Sequence, residues 1–244
     1  RYQLVTGVQT CALPIYKVER MEISDFSFPQ EQSMSLYIEN AQKFTIRPSA
    51  KRKLASEQYH DVTIDSQVNL NLIQFYNTYP SSEVNGNFMT RWKMYADTPM
   101  DESVSQMLYP DIKNKIEGLS DVQAVNQILN WVQTAFQYEY DDKVWGHDRA
   151  FFAEETLYYP YCDCEDRAIL FTRLVRDLLG LKCILVYYPG HLASAVCLKQ
   201  QVNGDYISLD GDVYTICDPT YIGAPVGITM PEMDNRSAKV IKLL

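Results

Sequence analysis

Three residues able to carry nucleophilic acyl transfer stand in the chain order Cys164, His191, Asp218, and each falls at the end of an expected element. Cys164 opens a stretch whose apolar residues Cys164, Ala168, Phe171, Val175 and Leu178 have helical spacing, and Gly180 is placed to stop that helix. A thiol on the first turn of a helix meets unpaired N–H groups and the positive end of the dipole, both of which favour thiolate. Glu165 and Asp166 follow at once and act the other way, because nearby carboxylates raise a thiol's pKa. A histidine partner is therefore required, and the chain has 3 histidines. His60 lies in a strand-like half and His147 in the loop before the cysteine helix, whereas His191 follows Pro189-Gly190 at the mouth of an apolar strand. From there its two ring nitrogens can address a thiol on one side and a carboxylate on the other. Asp218, in Cys217-Asp218-Pro219-Thr220, closes a later strand where proline ends the ladder. Such a set is what a Cys-His-Asp nucleophilic site needs.

A metal reading competes for the same residues. Cys162, Cys164, His147 and His191 could supply four zinc ligands, but one residue between the cysteines is fewer than zinc sites prefer, and no second paired motif appears. No metal and no cofactor is expected. The 6 cysteines without Cys11 leave an odd set with no even spacing, which excludes a disulfide framework; Cys183 and Cys197 sit in apolar runs as small core residues.

The elements that must position these groups divide the chain in two. Its 244 residues are 46% apolar, enough to bury a core, and 22 basic against 31 acidic side chains give a net charge of -9. That balance argues against a nucleic-acid partner, since Lys51-Arg52-Lys53 is the only short basic run and reads as a solvated turn. No apolar stretch reaches the roughly 18 to 20 residues of a membrane span. Alternation at Met34, Leu36 and Ile38, at Phe44 and Ile46, at Val62 and Ile64, and at Val68, Leu70 and Leu72 predicts a β-sandwich-like module over 16–100. Over 101–244 helices come first: 101–117, then a second opened by the capping box of Ser120 and Gln123, with Val125, Ile128, Leu129, Val132 and Phe136 on one face. Tyr158, Tyr159 and Tyr161 are expected to pack a loop over the cysteine helix or to line a peptide groove. Strands are expected at 183–188, 192–198, 206–209 and 213–217, an α+β order.

The motif Asp163-Cys164-Glu165-Asp166-Arg167-Ala168, the histidine strand with Ala193, Ala195 and Val196, and Asp218-Pro219-Thr220 together resemble the transglutaminase-like superfamily of papain-type cysteine enzymes. The likeness spans about 121–221, with Leu192 where many members have Ala-Trp after the histidine and Cys162 where glycine is common. It implies a papain-like core of helices on an antiparallel sheet. It also implies a thioester mechanism on peptide or glutamine-type amides, resolved by water or by an amine, with a peptide or protein substrate. Bacterial members often work in the cell envelope. The alternative is a member kept as an inactive scaffold or binding protein. The resemblance implies an oxyanion site made by the cysteine's own N–H and a side chain from the preceding helical region. Helical geometry favours Gln133, about 80° from Val125 at the border of the buried face, over Trp131 at about 240°; Trp145 in the loop is a further candidate. Residues 5–15 resemble a translated sequencing-library adapter, so 1–15 are set aside as an artefact and the natural N-terminus, with any signal segment, is expected to be missing.

Overall fold

The computed structural model describes residues 3–6, 18–22, 43–78, 88–200 and 202–244. Its strands are β1 (Gln3–Thr6), β2 (Val18–Glu22), β3 (Arg52–Ala55), β4 (Thr63–Ser66), β5 (Gln137–Tyr138), β6 (Tyr161–Cys162), β7 (Cys183–Tyr188), β8 (His191–Val196), β9 (Tyr206–Leu209), β10 (Asp212–Cys217) and β11 (Lys239–Lys242). Its helices are α1 (Leu70–Asn77), α2 (Phe88–Asp97), α3 (Glu102–Ile116), α4 (Asp121–Thr134), α5 (Asp141–Val144), α6 (Ala153–Tyr158) and α7 (Cys164–Leu179). Helices and sheets are mixed in the α+β manner expected. Among the described residues no helix is long and apolar enough to cross a membrane.

One antiparallel sheet, in the order β11-β7-β8-β10-β9, carries the C-terminal half. Pro189 and Gly190 form the two-residue turn between Tyr188 and His191, and the turn needs Gly190 at φ +80°, a conformation that costs glycine nothing. Helix α7 lies across β7 and β8, buried almost continuously from Cys164 to Val175, and packs against α2, α4 and α6. Gly180, at φ +64°, ends it and donates its N–H to the Arg176 carbonyl. Helix α4 begins with the expected capping box: Gln123 N donates to Ser120 Oγ and Ser120 N to Gln123 Oε1.

The β-sandwich-like module expected over 16–100 is corrected. Met34, Leu36 and Ile38 lie outside the described residues. Phe44 and Ile46 are in irregular backbone, and beyond the β3–β4 hairpin the chain is helical in α1 and α2. The alternation of Val68, Leu70 and Leu72 masked a helix start. Asn69 Oδ1 accepts the N–H of Asn71 as an N-cap, while Leu72 and Ile73 face inward. Nor does residue 100 divide the core, because Leu54, Ile64 and Val68 share one apolar cluster with Val104, Leu108, Val125 and Phe171. Strand β1 pairs antiparallel with β2, so part of the segment set aside as adapter-like is a strand here.

Candidate functional site

His191 and Asp218 are brought together. His191 Nε2 and Asp218 Oδ2 are 2.8 Å apart, with 7% and 1% of the two side chains exposed. Strand β10 runs antiparallel to β8 with Cys217 opposite Ser194, so Asp218 leaves the sheet beside the mouth of β8, where Pro189-Gly190 delivers His191. The second carboxylate oxygen, Oδ1, accepts the N–H groups of Thr220 and Tyr221 at 2.9 and 3.2 Å, which fixes the carboxylate plane. With Nε2 committed to Asp218, the nitrogen left for a substrate or a thiol is Nδ1. The Tyr188 ring lies nearly parallel to the imidazole at 6.3 Å.

Cys164 is the first residue of α7, as expected, and is 9% exposed. Its Sγ donates to Glu165 Oε2 at 3.2 Å, so His191 is not the hydrogen-bond partner of the resting thiol. Burial, then the Glu165 and Asp163 carboxylates, push the thiol well above its ordinary value; the backbone N–H of Leu192, next to His191, pulls the other way. That backbone contact sets the sulfur against the start of β8. Burial leads that rise and the carboxylates noted in the sequence add to it, so the thiol rests protonated.

The surroundings of the cysteine are dense in acid. Ligand atoms of Asp141, Asp163 and Asp166 lie within 4.8 Å of one another, as do those of Asp163, Cys164 and Glu165, and those of Asp141, Asp148 and Glu165. Burial and the neighbouring carboxylates push Asp163 up to about 11 and Asp166 well above the carboxylate range. Burial leads the rise of Asp141 to about 6, against the N–H it accepts from Arg149. Asp163 Oδ1 is buried and has no hydrogen-bond partner among the described residues. These groups are the described side chains close enough together to hold a cation, although Asp163 and Asp166 are held in their protonated forms. None of these groups contains a histidine, so among the described residues the zinc set of Cys162, Cys164, His147 and His191 is not assembled. His147 instead faces its own loop, with Nδ1 3.0 Å from the Trp145 carbonyl.

The oxyanion role expected of Gln133 is corrected. Gln133 is buried in the last turn of α4, but its Nε2 is spent on the carbonyls of Asp218, Tyr221 and Ala224 at 3.0, 2.9 and 3.0 Å, which leaves no donor for a developing oxyanion. The other candidates do not replace it. Trp131 is buried on the far side of α4, donating Nε1–H to the Leu54 carbonyl under the β3–β4 hairpin, and Trp145 packs against Phe151 and Tyr159 beneath the Arg149 guanidinium. The backbone N–H of Cys164, at the start of α7, remains.

Two residues near the site went unnoticed in the sequence. Arg167 is fully buried; it donates to the carbonyls of Gln133 and Phe136 at the end of α4 and, through Nε, to Cys162 Sγ at 3.4 Å. Its position three residues after Cys164, on the buried face of the helix, is the signal that could have marked it. Tyr138 pairs with Cys162 across β5 and β6, and its ring faces the Arg167 guanidinium at 5.4 Å. Burial, and after it the nearby Cys164 and Asp163, raise its phenol, so the hydroxyl of this exposed tyrosine is a neutral donor near the cysteine. Compared with known proteins, the chain matches no family model and no curated protein.

Proposed function

We propose that the protein is a transglutaminase-like cysteine hydrolase, acting on peptide or glutamine-type amides through a thioester. The observation that carries this reading is the buried His191–Asp218 pair at 2.8 Å, with the imidazole held through Nε2 at the strand mouth that the Cys164 sulfur abuts. Asp218 fixes the ring and stabilises the imidazolium as it forms. His191 Nδ1 takes the proton from Cys164 Sγ as the sulfur attacks the amide carbonyl, and the Cys164 N–H at the start of α7 faces the oxyanion. The imidazolium then protonates the departing amine as the C–N bond breaks, leaving an acyl thioester. Water, deprotonated by the same imidazole, breaks the C–S bond to give a carboxylic acid and the free thiol; an amine in its place gives a new amide. Because the resting thiol is neutral, proton removal belongs to the attack step and does not precede it.

A second reading, a folded but inactive scaffold, is favoured by one observation: the thiol is bound to Glu165 and is 9% exposed. Intact-mass detection of an acyl adduct after single turnover with an activated ester and with a small glutamine-type amide separates the two. The enzyme reading expects one acyl group per chain, absent in Cys164→Ala at unchanged melting temperature. A folded wild-type protein that forms no adduct with either reagent is the scaffold.

A further inference from the structure

We infer that Gln133 is a positioning residue which sets the Asp218 carboxylate on His191 by holding the whole turn that follows β10. The inference rests on the catalytic reading of Asp218 and goes beyond it, naming what fixes that residue in place.

The turn has lost its sheet partners. β10 ends at Cys217, Pro219 offers no N–H, and the backbone over 218–224 needs partners from elsewhere. One side chain supplies most of them. Gln133 Nε2 reaches the carbonyls of Asp218, Tyr221 and Ala224, and Gln133 Oε1 accepts the N–H of Gly223 at 3.2 Å and lies 3.5 Å from Asn130 Nδ2. The same helix gives a further tie at Asn126, whose Oδ1 accepts Val226 N at 2.9 Å. With Asp218 Oδ1 taken by Thr220 and Tyr221, the carboxylate presents Oδ2 to His191. Moving Gln133 therefore moves the carboxylate.

The backbone of the same residue meets the cysteine side of the site. Arg167 Nη1 donates to the Gln133 main-chain carbonyl at 3.1 Å while Arg167 Nε reaches Cys162, two residues before the nucleophile. A continuous path of contacts thus runs from Cys162 through Arg167, Gln133 and Asp218 to His191. Glutamine is the side chain that fits, because it offers two N–H donors and an acceptor in one plane at this reach. Glutamate would aim a carboxylate at three carbonyl oxygens, and asparagine falls short by one C–C bond, about 1.5 Å.

The test compares Gln133→Asn and Gln133→Glu with wild type and Asp218→Asn by two readouts. The first is the NMR signal of the His191 ring proton on Nε2, assigned by its loss in Asp218→Asn; it needs no substrate and so stands even if the protein proves inactive. The second is single-turnover acylation, resolved into maximal rate and half-saturation. For Gln133→Asn we expect a folded protein in which the ring-proton signal is shifted or exchange-broadened and the maximal acylation rate falls roughly 100-fold, the scale of a misplacement of about 1 Å, with half-saturation changed less than about threefold. Gln133→Glu should do the same more severely, with partial recovery on acidification as the carboxyl regains a donor proton. Failure of wild type to acylate, with the ring signal still lost in Gln133→Asn, would overturn the catalytic reading and keep the positioning. A ring signal and acylation rate unchanged in folded Gln133→Asn would overturn the positioning role itself.

Discussion

On the β8–β10 side of the site an imidazole and a carboxylate meet at 2.8 Å, and the carboxylate's other oxygen is held by two backbone N–H groups. On the α7 side the thiol donates to Glu165 among carboxylates that push one another upward. The first side has the ordered imidazole–carboxylate geometry that the proposed chemistry would use; on the second, burial and nearby acids hold the thiol protonated. The difference teaches where activation must come from. A preformed thiolate–imidazolium pair would need the helix dipole and a cation to outweigh burial, and here burial first and the neighbouring acids after it raise the thiol. On the proposed catalytic reading, His191 is the oriented base, the Cys164 thiol stays protonated, and the encounter with substrate would have to join them.

The largest effect is expected where the ordered side is broken. Asp218→Asn keeps the Oδ1 contacts to Thr220 and Tyr221 and should melt within a few degrees of wild type, yet favour the wrong imidazole tautomer. In serine proteases the corresponding change costs about 10⁴-fold in turnover, and a loss of that order is expected in single-turnover acylation. If Asp218→Asn acylates at the wild-type rate, His191 is oriented by some other group, and the ordered side is not what the comparison makes it.

A smaller effect, of opposite sign, should follow from relieving the α7 side. Glu165→Gln removes the leading charge that raises the thiol while leaving a side chain that can still accept from Sγ. Alkylation of Cys164 by iodoacetamide at pH 8 should speed up on the order of tenfold, since each unit of pKa is a tenfold change in thiolate, partly offset by lower intrinsic nucleophilicity. In wild type the half-buried Cys197 should label ahead of Cys164, which is a revision of the helix-dipole argument made on sequence alone. An unchanged rate in Glu165→Gln, read by peptide mapping, would assign the withheld state to burial alone.

How far this asymmetry was legible in the sequence depends on how local each signal is. Helix α4 with its capping box, α7 with Gly180 at its end, and the hairpin at Pro189-Gly190 follow from spacing and turn chemistry within a dozen residues, and the structure has them. Cys164, His191 and Asp218 stood out because each closes or opens an element. Gln133 was found on the border of the buried face, but its partners lie 85 and more residues further on, and no periodicity says which loop will cover a given face. Trp131 was put on the solvent side for the same reason: the β3–β4 hairpin that buries it comes from elsewhere in the chain. β11, two β-branched residues between lysines, is too short for an alternation to mark it and pairs with the open edge of β7. The sequence also showed Glu165 and Asp166 beside the thiol; what it lacked was Asp141, brought into the cluster by tertiary folding.

The smallest effect expected is on stability, and it follows from that last residue. Asp141 is raised from the ordinary aspartate range to about 6, first by burial and then by Glu165 and Asp148, against the hydrogen bond from Arg149 N. A carboxyl whose folded pKa lies above its unfolded one binds more protons in the folded state between the two values. Its favourable contribution is therefore complete below about pH 4 and is lost as pH rises through about 6. At pH 8 the ionised group then costs up to about 3 kcal/mol, from a shift of about two units. Asp141→Asn removes that cost and can still accept from Arg149 N through its amide oxygen, so its melting temperature at pH 8 should exceed that of wild type by about 5 °C. The gap should close on acidification toward pH 4, where wild type has regained its proton. Asp163, pushed up further still, gives wild type the same direction, with higher melting temperature at pH 5 than at pH 8. Thermal melts of the two proteins from pH 4 to 8 read both the sign and the window. If Asp141→Asn is less stable than wild type at every pH, the carboxylate is worth more to the Arg149 loop than its burial costs, and the α7 side is not under the electrostatic load that sets it apart from the His191–Asp218 side.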